Sequence, residues 1–526
     1  MKALRRSSTS SSSRASLSSL PLSWIHLRSL LIIASSTVPD RGNLKSPWSQ
    51  RKRQRSALSR RYWNSLFAAN GRLRDRGIKF LKKARNRGID PSIRPHVWPF
   101  LLGVYDLNSS EVERNAVKVL NRIEYEKLRI RCRKISNYSN QGNSLVTLDK
   151  IYSEAWLDLI EDPYSPKLSE YGTSAFSLSL WRGNEDRPVY DRSPDGNSNL
   201  GGEDDNSVIT HLDDLLAGTD SSDSDHSVEI LQTGESYPKL TNSASLKVDN
   251  SNRTIENFRT WQRIVRLDAI RADPEWVIYS PTQAGISEVA AKRYAKAVGL
   301  IDFDHLEPCM IYHASRLVAA LEAYAIYDPE IGYCQGMSDL LSPILTVIED
   351  DCEAFWCFVG FMKKARHNFR LDELGIRRQL AIVSQIIRSK DAHLYQHLEQ
   401  LQAEDCFFVY RLVLVLFRRE LTFEQTVCLW EVMWADQAAI RAGIGRSAWG
   451  RMRLQAPPTD DLLLYAIAAF VLQRRKLIIE RYSSMDEIMR ECNSVAGKLD
   501  VWRLLDDAHD LVVTLHDKIQ LPLEIS

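Results

Sequence analysis

The sequence predicts an all-α fold, a multi-helix array of the kind that builds one core from many packed helices, interrupted by a long acidic insertion. Three observations carry that reading. Apolar residues recur at spacings of three and four through most of the chain after residue 256, strand-like alternation is nearly absent, and between residues 136 and 255 the helical pattern dissolves into Ser, Asn, Asp and Gly. With 44% hydrophobic residues, including 13 Trp, 19 Tyr and 15 Phe, the 526-residue chain has the apolar bulk for a sizeable core. No repeat recurs at a fixed period, so a solenoid is not expected.

Residues 1–60 are low in complexity, rich in Ser and Arg and short of large apolar side chains, with Asp40 as their single acid. We read them as a disordered basic arm able to touch a membrane; an organelle targeting segment is the alternative. Their apolar stretch from Leu20 to Ala34 contains His26 and Arg28 and falls short of the ~20 apolar residues a spanning helix needs. Residues 85–135 open the helical domain. Gly88, Asp90 and Pro91 make a turn, Trp98, Leu101, Leu102 and Val104 form an apolar run, and a basic helical stretch continues to about Lys134. Residues 136–255 follow as a disordered acidic insertion, whose runs Glu203-Asp204-Asp205 and Ser221 to Asp225 favour solvent over a core.

Residues 256–482 carry the main helical part. Leu317, Leu321 and Tyr324 share a helix face that Asp328-Pro329 ends, and Ile376, Leu380, Val383 and Ile387 repeat the spacing. Phe407 to Phe417 is apolar almost all round, which predicts a helix buried at the centre of a bundle. Thr422 to Gln425 has the form of a capping box, opening a helix on which Phe423, Val427, Trp430 and Trp434 line one face. Asp460-Asp461 starts another apolar helix through Leu472. In residues 483–526, a C-terminal helical extension, Trp502, Leu505, Ala508 and Val512 mark a last amphipathic helix.

Charge and motif content exclude several classes. A formal charge of +2, from 69 basic and 67 acidic residues, gives no reason to expect a nucleic-acid partner. The 8 cysteines form no CxxC pair and several lie in apolar runs, the pattern of reduced thiols in a cytoplasmic protein. A phosphate-binding P-loop, a dinucleotide GxGxxG turn, a GxSxG elbow and an HExxH zinc helix are all missing. A self-contained enzyme is not expected, nor a metal or cofactor of its own.

Two polar constellations remain. In Val265-Arg-Leu-Asp268-Ala-Ile-Arg271, Asp268 and Arg271 stand one helical turn apart, so the carboxylate can orient the guanidinium. The plainer reading is a surface salt bridge. In Ile331 to Asp339, Gly332 and Gly336 flank Tyr333-Cys334-Gln335 and permit close approach by another molecule, where the plainer reading is a loop joining two helices.

Together these stretches resemble the paired fingerprints IxxDxxR and YxQ of the TBC domain family of Rab GTPase-activating proteins, and plant members with a long internal insertion are the most similar. Tyr333-Cys334-Gln335 matches in full, and Val265 stands where the family has isoleucine. Gly88 to Gly103, Tyr324 to Pro343, Ala354 to Phe358 and Leu429 to Trp434 are also similar, so the resemblance covers about residues 85–135 and 256–482. Arg271 is followed by Ala272-Asp273-Pro274 where the family often has Thr-x-Pro, and the segment from Glu275 to Asp302 is longer than usual.

The resemblance implies an enzyme activator in vesicle trafficking. Arg271 and Gln335 would be supplied in trans, the one as an arginine finger and the other to place water, with Asp268, Tyr333, Gly332 and Gly336 in support. It implies a Rab GTPase in its GTP-bound state as partner, GTP and Mg2+ carried by that partner, and a cytoplasmic protein held peripherally at endomembranes through it. The alternative is a catalytically silent Rab-binding helical scaffold.

The basic arm makes its own prediction. Deleting residues 1–60 lowers binding to vesicles containing anionic lipid, and the difference from the full chain vanishes at high salt. A sedimentation assay across a salt series measures it, and equal binding by the two chains at low salt rejects the role.

Overall fold

The computed structural model describes residues 57–140, 243–303, 305–444, 456–515 and 519. The basic arm to residue 56 and the body of the acidic insertion lie outside the described residues. Short helices come first: α1 (Arg60–Ser65), α2 (Ile78–Arg87) and, after a 3₁₀ turn capped by Asp90, α3 (Arg94–Leu101). Two long helices stand on either side of the insertion, α4 (Glu111–Asn140) and α5 (Ser243–Ile270). They are followed by α6 (Pro281–Ala284), α7 (Glu288–Ala297), α8 (Pro308–Tyr327), α9 (Met337–Val347), α10 (Asp351–Ala365), α11 (Leu374–Lys390) and α12 (Ala392–Gln400). The last are α13 (Tyr410–Leu414), α14 (Phe423–Arg441), α15 (Leu462–Gln473), α16 (Arg475–Arg481), α17 (Met485–Asn493) and α18 (Val501–Leu515). Extended pairing among the described residues is limited to two isolated bridges, Leu58 with Ile89 and Phe67 with Leu73, so the fold is all-α.

Local chemistry starts many of these helices. Ser59, Ser287, Asp350, Asp391 and Ser484 each accept from a backbone N–H of the first turn, and Thr422 and Gln425 complete a reciprocal capping box at α14. Packing then orders them around two hubs. Helix α8 contacts α4, α7, α9 and α10, and α14 contacts α2, α3, α15 and α18. The described residues that reading assigned to the C-terminal extension join the same core, through Ile488, Val501, Leu505, Ala508 and Val512.

Two elements differ from the sequence reading. The stretch Phe407 to Phe417 is buried, yet it is not one helix: a 3₁₀ turn at Phe407–Val409 leads into α13, and Leu416 and Phe417 then take positive φ. A continuous helix would carry Arg411 and Glu420 about 13 Å apart along its axis. The chain instead folds back so that Arg411 Nε donates to Glu420 Oε1 at 2.6 Å, while Trp430 Nε1 takes the carbonyl of Leu416 at 2.9 Å. The buried central helix is α14, which is covered on all sides and not only along Phe423, Val427, Trp430 and Trp434.

Burying α14 completely brings its charges inside, and arginines from the start of the domain answer them. Arg94 Nε donates to Glu431 at 2.8 Å and its two terminal nitrogens reach Glu424 at 3.2 and 3.0 Å; Trp98 Nε1 adds a bond to Glu431 at 2.9 Å. Arg85 pairs with Asp436 at 2.6 Å and donates to the carbonyl of Ala456 at 2.6 Å. These buried pairs weld residues 85–101 to α14 across more than 300 positions of sequence. Removing one partner strands the other charges without water. Arg94→Met therefore lowers the unfolding free energy by about 3–5 kcal/mol, read by denaturant titration; a loss under about 1 kcal/mol, the scale of an exposed pair, rejects the assignment.

Candidate functional site

Helix α5 ends at Ile270, and the next residue is Arg271, whose amide still donates to the carbonyl of Asp268 at 3.2 Å. Its guanidinium folds along its own last turn: Nε donates to the carbonyl of Leu267 at 2.9 Å and Nη2 to Asp268 Oδ1 at 2.5 Å. The Arg271 side chain is 54% exposed, and Nη1 makes no hydrogen bond among the described residues. Directly after it, Asp273 caps the 3₁₀-helix Pro274–Tyr279 by accepting from the Glu275 N–H at 2.9 Å. Ala272-Asp273-Pro274 thus closes this turn with a carboxylate, one position later than a hydroxyl at 272 would stand.

The glycine-flanked stretch is the turn between α8 and α9. Asp328 terminates α8, accepts from Tyr324 Oη at 3.0 Å, and is gripped by Arg366 through both of its oxygens, each at 3.0 Å. Gly332 then takes φ +60°, where a Cβ would lie 2.1 Å from Cζ2 of Trp261 on α5, so only glycine lets the turn close on that helix. Gly336, at φ +103°, is the N-cap of α9. Between them Tyr333 is buried, and its hydroxyl donates to Asp268 Oδ2 at 2.8 Å. Asp268 therefore holds Arg271 with one oxygen and the turn with the other.

Gln335 lies past this junction, half-buried, and its side-chain amide makes no hydrogen bond among the described residues. Asp339, in the first turn of α9, is taken by Arg419 at 2.9 Å. Burial pushes the Asp268 carboxyl above the usual range, against the pull of Tyr333 and Arg271 toward the ionised form. Burial, and then the neighbouring Asp268 charge, drive the Tyr333 phenol far above its ordinary value, so it acts as a neutral donor. The junction thus presents one exposed, permanently cationic fork and one neutral amide from elements joined by a buried hydrogen bond. Such a pair suits charge neutralisation and water placement on a bound partner.

Trp261, Arg419, the role of Glu275 and the aromatic packing behind the 3₁₀-helix escaped the sequence reading, which named Asp339 without its partner Arg419. Only Trp261 left a signal, since it is on α5, the helix that ends just before Arg271. Among the described residues no group of three or more His, Cys, Asp or Glu is placed to hold a metal ion, and no helix is long and apolar enough to cross a membrane. None of the 8 cysteines is in a disulfide, and all but the half-buried Cys334 are buried.

The Gly332 contact is open to test. Gly332→Ala combines left-handed strain with a clash against Trp261 and lowers stability by roughly 2–5 kcal/mol, measured by denaturant unfolding. A neutral effect shows that the turn does not depend on this close approach.

Comparison with known proteins adds the following. The Rab-GTPase-TBC domain family profile matches residues 312–446. Rab GTPase-activating protein 22 of Arabidopsis thaliana is 57% identical over 505 residues, covering 95% of this chain and 88% of that one. GTPase-activating protein GYP7 of Yarrowia lipolytica is 30% identical over 209 residues, 40% of this chain and 26% of that one. Among solved structures, the Ypt/Rab-GAP domain of Gyp1p aligns with 50% of this chain and 83% of that one at 17% identity and a TM-score of 0.32.

Proposed function

The chain belongs to the TBC-domain Rab GTPase-activating proteins, and from that premise we propose that it activates its partner by lending it Arg271 and Gln335. GTP hydrolysis on a small GTPase is slow because charge builds on phosphate oxygens and the attacking water is poorly held. A guanidinium answers the first defect, since it stays charged and offers fixed donors; Nη1 of Arg271 is unengaged and the side chain is exposed. A neutral amide that both donates and accepts answers the second, and Gln335 carries one, half-buried and without a hydrogen-bond partner among the described residues.

The observation that carries this reading is the hydrogen bond from Tyr333 to Asp268, which joins the two stretches while leaving both working side chains accessible. Asp268 orients the guanidinium and Tyr333 fixes the turn; Gly332 and Gly336 give that turn its shape. The nucleotide and Mg2+ belong to the partner, engaged in its GTP-bound state because there is a γ-phosphate only then. Contact with endomembranes, on their cytoplasmic side, follows from the partner's lipid anchor.

A supplied arginine of this kind speeds hydrolysis by ~10³–10⁵. Arg271→Lys and Gln335→Ala each remove most of that acceleration and leave binding to the GTP-bound partner within about twofold, since neither side chain supports the fold. Single-turnover hydrolysis with a panel of GTP-loaded Rab proteins measures it. Wild-type rates from both variants reject the assignment, and binding by the unaltered chain with no acceleration of any Rab selects the silent scaffold.

A further inference from the structure

We propose that His313 is a positioning residue that sets Arg271 and Gln335 in register, an inference that rests on the roles given to those two side chains above. His313 is buried on α8 and touches the elements that directly follow each of them. On one side its ring stacks on Trp276, centroids 4.2 Å apart and planes 17° from parallel, and Trp276 belongs to the 3₁₀-helix that directly follows Arg271. On the other side its Nε2 meets Ser342 Oγ at 2.9 Å, and Ser342 is on α9, the helix that directly follows Gln335 and Gly336.

The hydrogen bonds define one tautomer. Gln283 Nε2 donates to Ser280 Oγ at 3.0 Å and to the Leu345 carbonyl at 2.9 Å, which turns its Oε1 toward His313 Nδ1 at 3.0 Å. That oxygen only accepts, so Nδ1 donates and Nε2 accepts from the Ser342 hydroxyl. A neutral imidazole satisfies both contacts, and burial, then the nearby Arg316 guanidinium, hold the ring neutral. Trp276 is itself fully buried, and its indole N–H has no hydrogen-bond partner among the described residues, so ring packing is what seats it.

A second attachment matters because the first lies wholly on the α5 side of Arg271. Asp268, which takes the Tyr333 hydroxyl, and Trp261, against which Gly332 packs, both precede Arg271 in the chain. The chain Trp276, His313, Ser342 ties the 3₁₀-helix that follows Arg271 to α9, so Arg271 is held on both sides. Near 1 Å of misplacement at a reacting centre can cost ~10²-fold in rate, so loosening this tie acts on turnover and not on docking.

The test is single-turnover hydrolysis by a GTP-loaded Rab protein over a range of activator concentration, which separates the rate at saturation from the half-saturating concentration. Ser342→Ala, the mildest change, lowers the saturating rate about threefold. His313→Phe combined with Ser342→Ala keeps a ring on Trp276, leaves no orphaned hydroxyl, and lowers it tenfold or more, with half-saturation within about twofold of wild type. Trp276→Leu behaves as the double variant does, and Trp276→Phe, which retains a stacking face, restores most of the rate. Variants that melt earlier yet reach the wild-type rate at saturation overturn the proposal, as does a loss that appears only in half-saturation. Arg271→Lys is measured alongside: if it hydrolyses GTP at the wild-type rate, the reading of the site itself fails, and if it is inactive while the His313 and Trp276 variants are not, only this inference does.

Discussion

The buried carboxylate of Asp268 is the constraint on which the site depends. It spends one oxygen on Arg271 and the other on Tyr333, so a single side chain decides both where the cation sits and where the following turn begins. Neither bond would hold that geometry in open water, where exposed pairs contribute little. Here burial raises the cost of leaving either oxygen unpaired, and that cost keeps the α5 terminus and the turn before α9 together. The exposure of Arg271 at the same point is what separates a structural pair from a usable one.

A junction of this kind needs a stiff frame, and the frame is built around α14 and α8. Arg94, Trp98 and Arg85 bind the opening helices to Glu424, Glu431 and Asp436, while α8 gathers α4, α7, α9 and α10. Glu275 reaches from the 3₁₀-helix behind Arg271 to the first N–H of α14 at 2.7 Å, and Tyr279 stacks on Phe423 with centroids 4.3 Å apart. The segment after Arg271 is therefore seated on the central helix as well as on α9. The residues from Glu275 onward include α6 and α7.

Much of this was legible in the chain because helices are local objects. The capping box at Thr422, the stop at Asp328, the face of Ile376, Leu380, Val383 and Ile387, and the start of α15 after Asp461 all follow from near neighbours. The all-α class and the membership in an activator family were legible for the same reason, the second because short motifs kept their order. What stayed hidden depends on partners far apart in sequence. The break after Leu414 is imposed by Arg411 meeting Glu420 within a fold-back that no periodicity records, and the inward charges of α14 make sense only beside Arg85 and Arg94. His313 gave no sign because its neighbours, Trp276, Gln283 and Ser342, come from three other elements.

The close approach of Gly332 to Trp261 bears on how such a chain can diverge. The indole occupies the space any larger residue at 332 would need, and the backbone there is left-handed, so shrinking position 261 opens a void without making 332 tolerant. Drift at either site alone is thus disfavoured in both orders of mutation. The glycine is therefore required whatever stands at 261, and lineages carrying this turn are expected to keep it, with the indole retained to fill the space beside it.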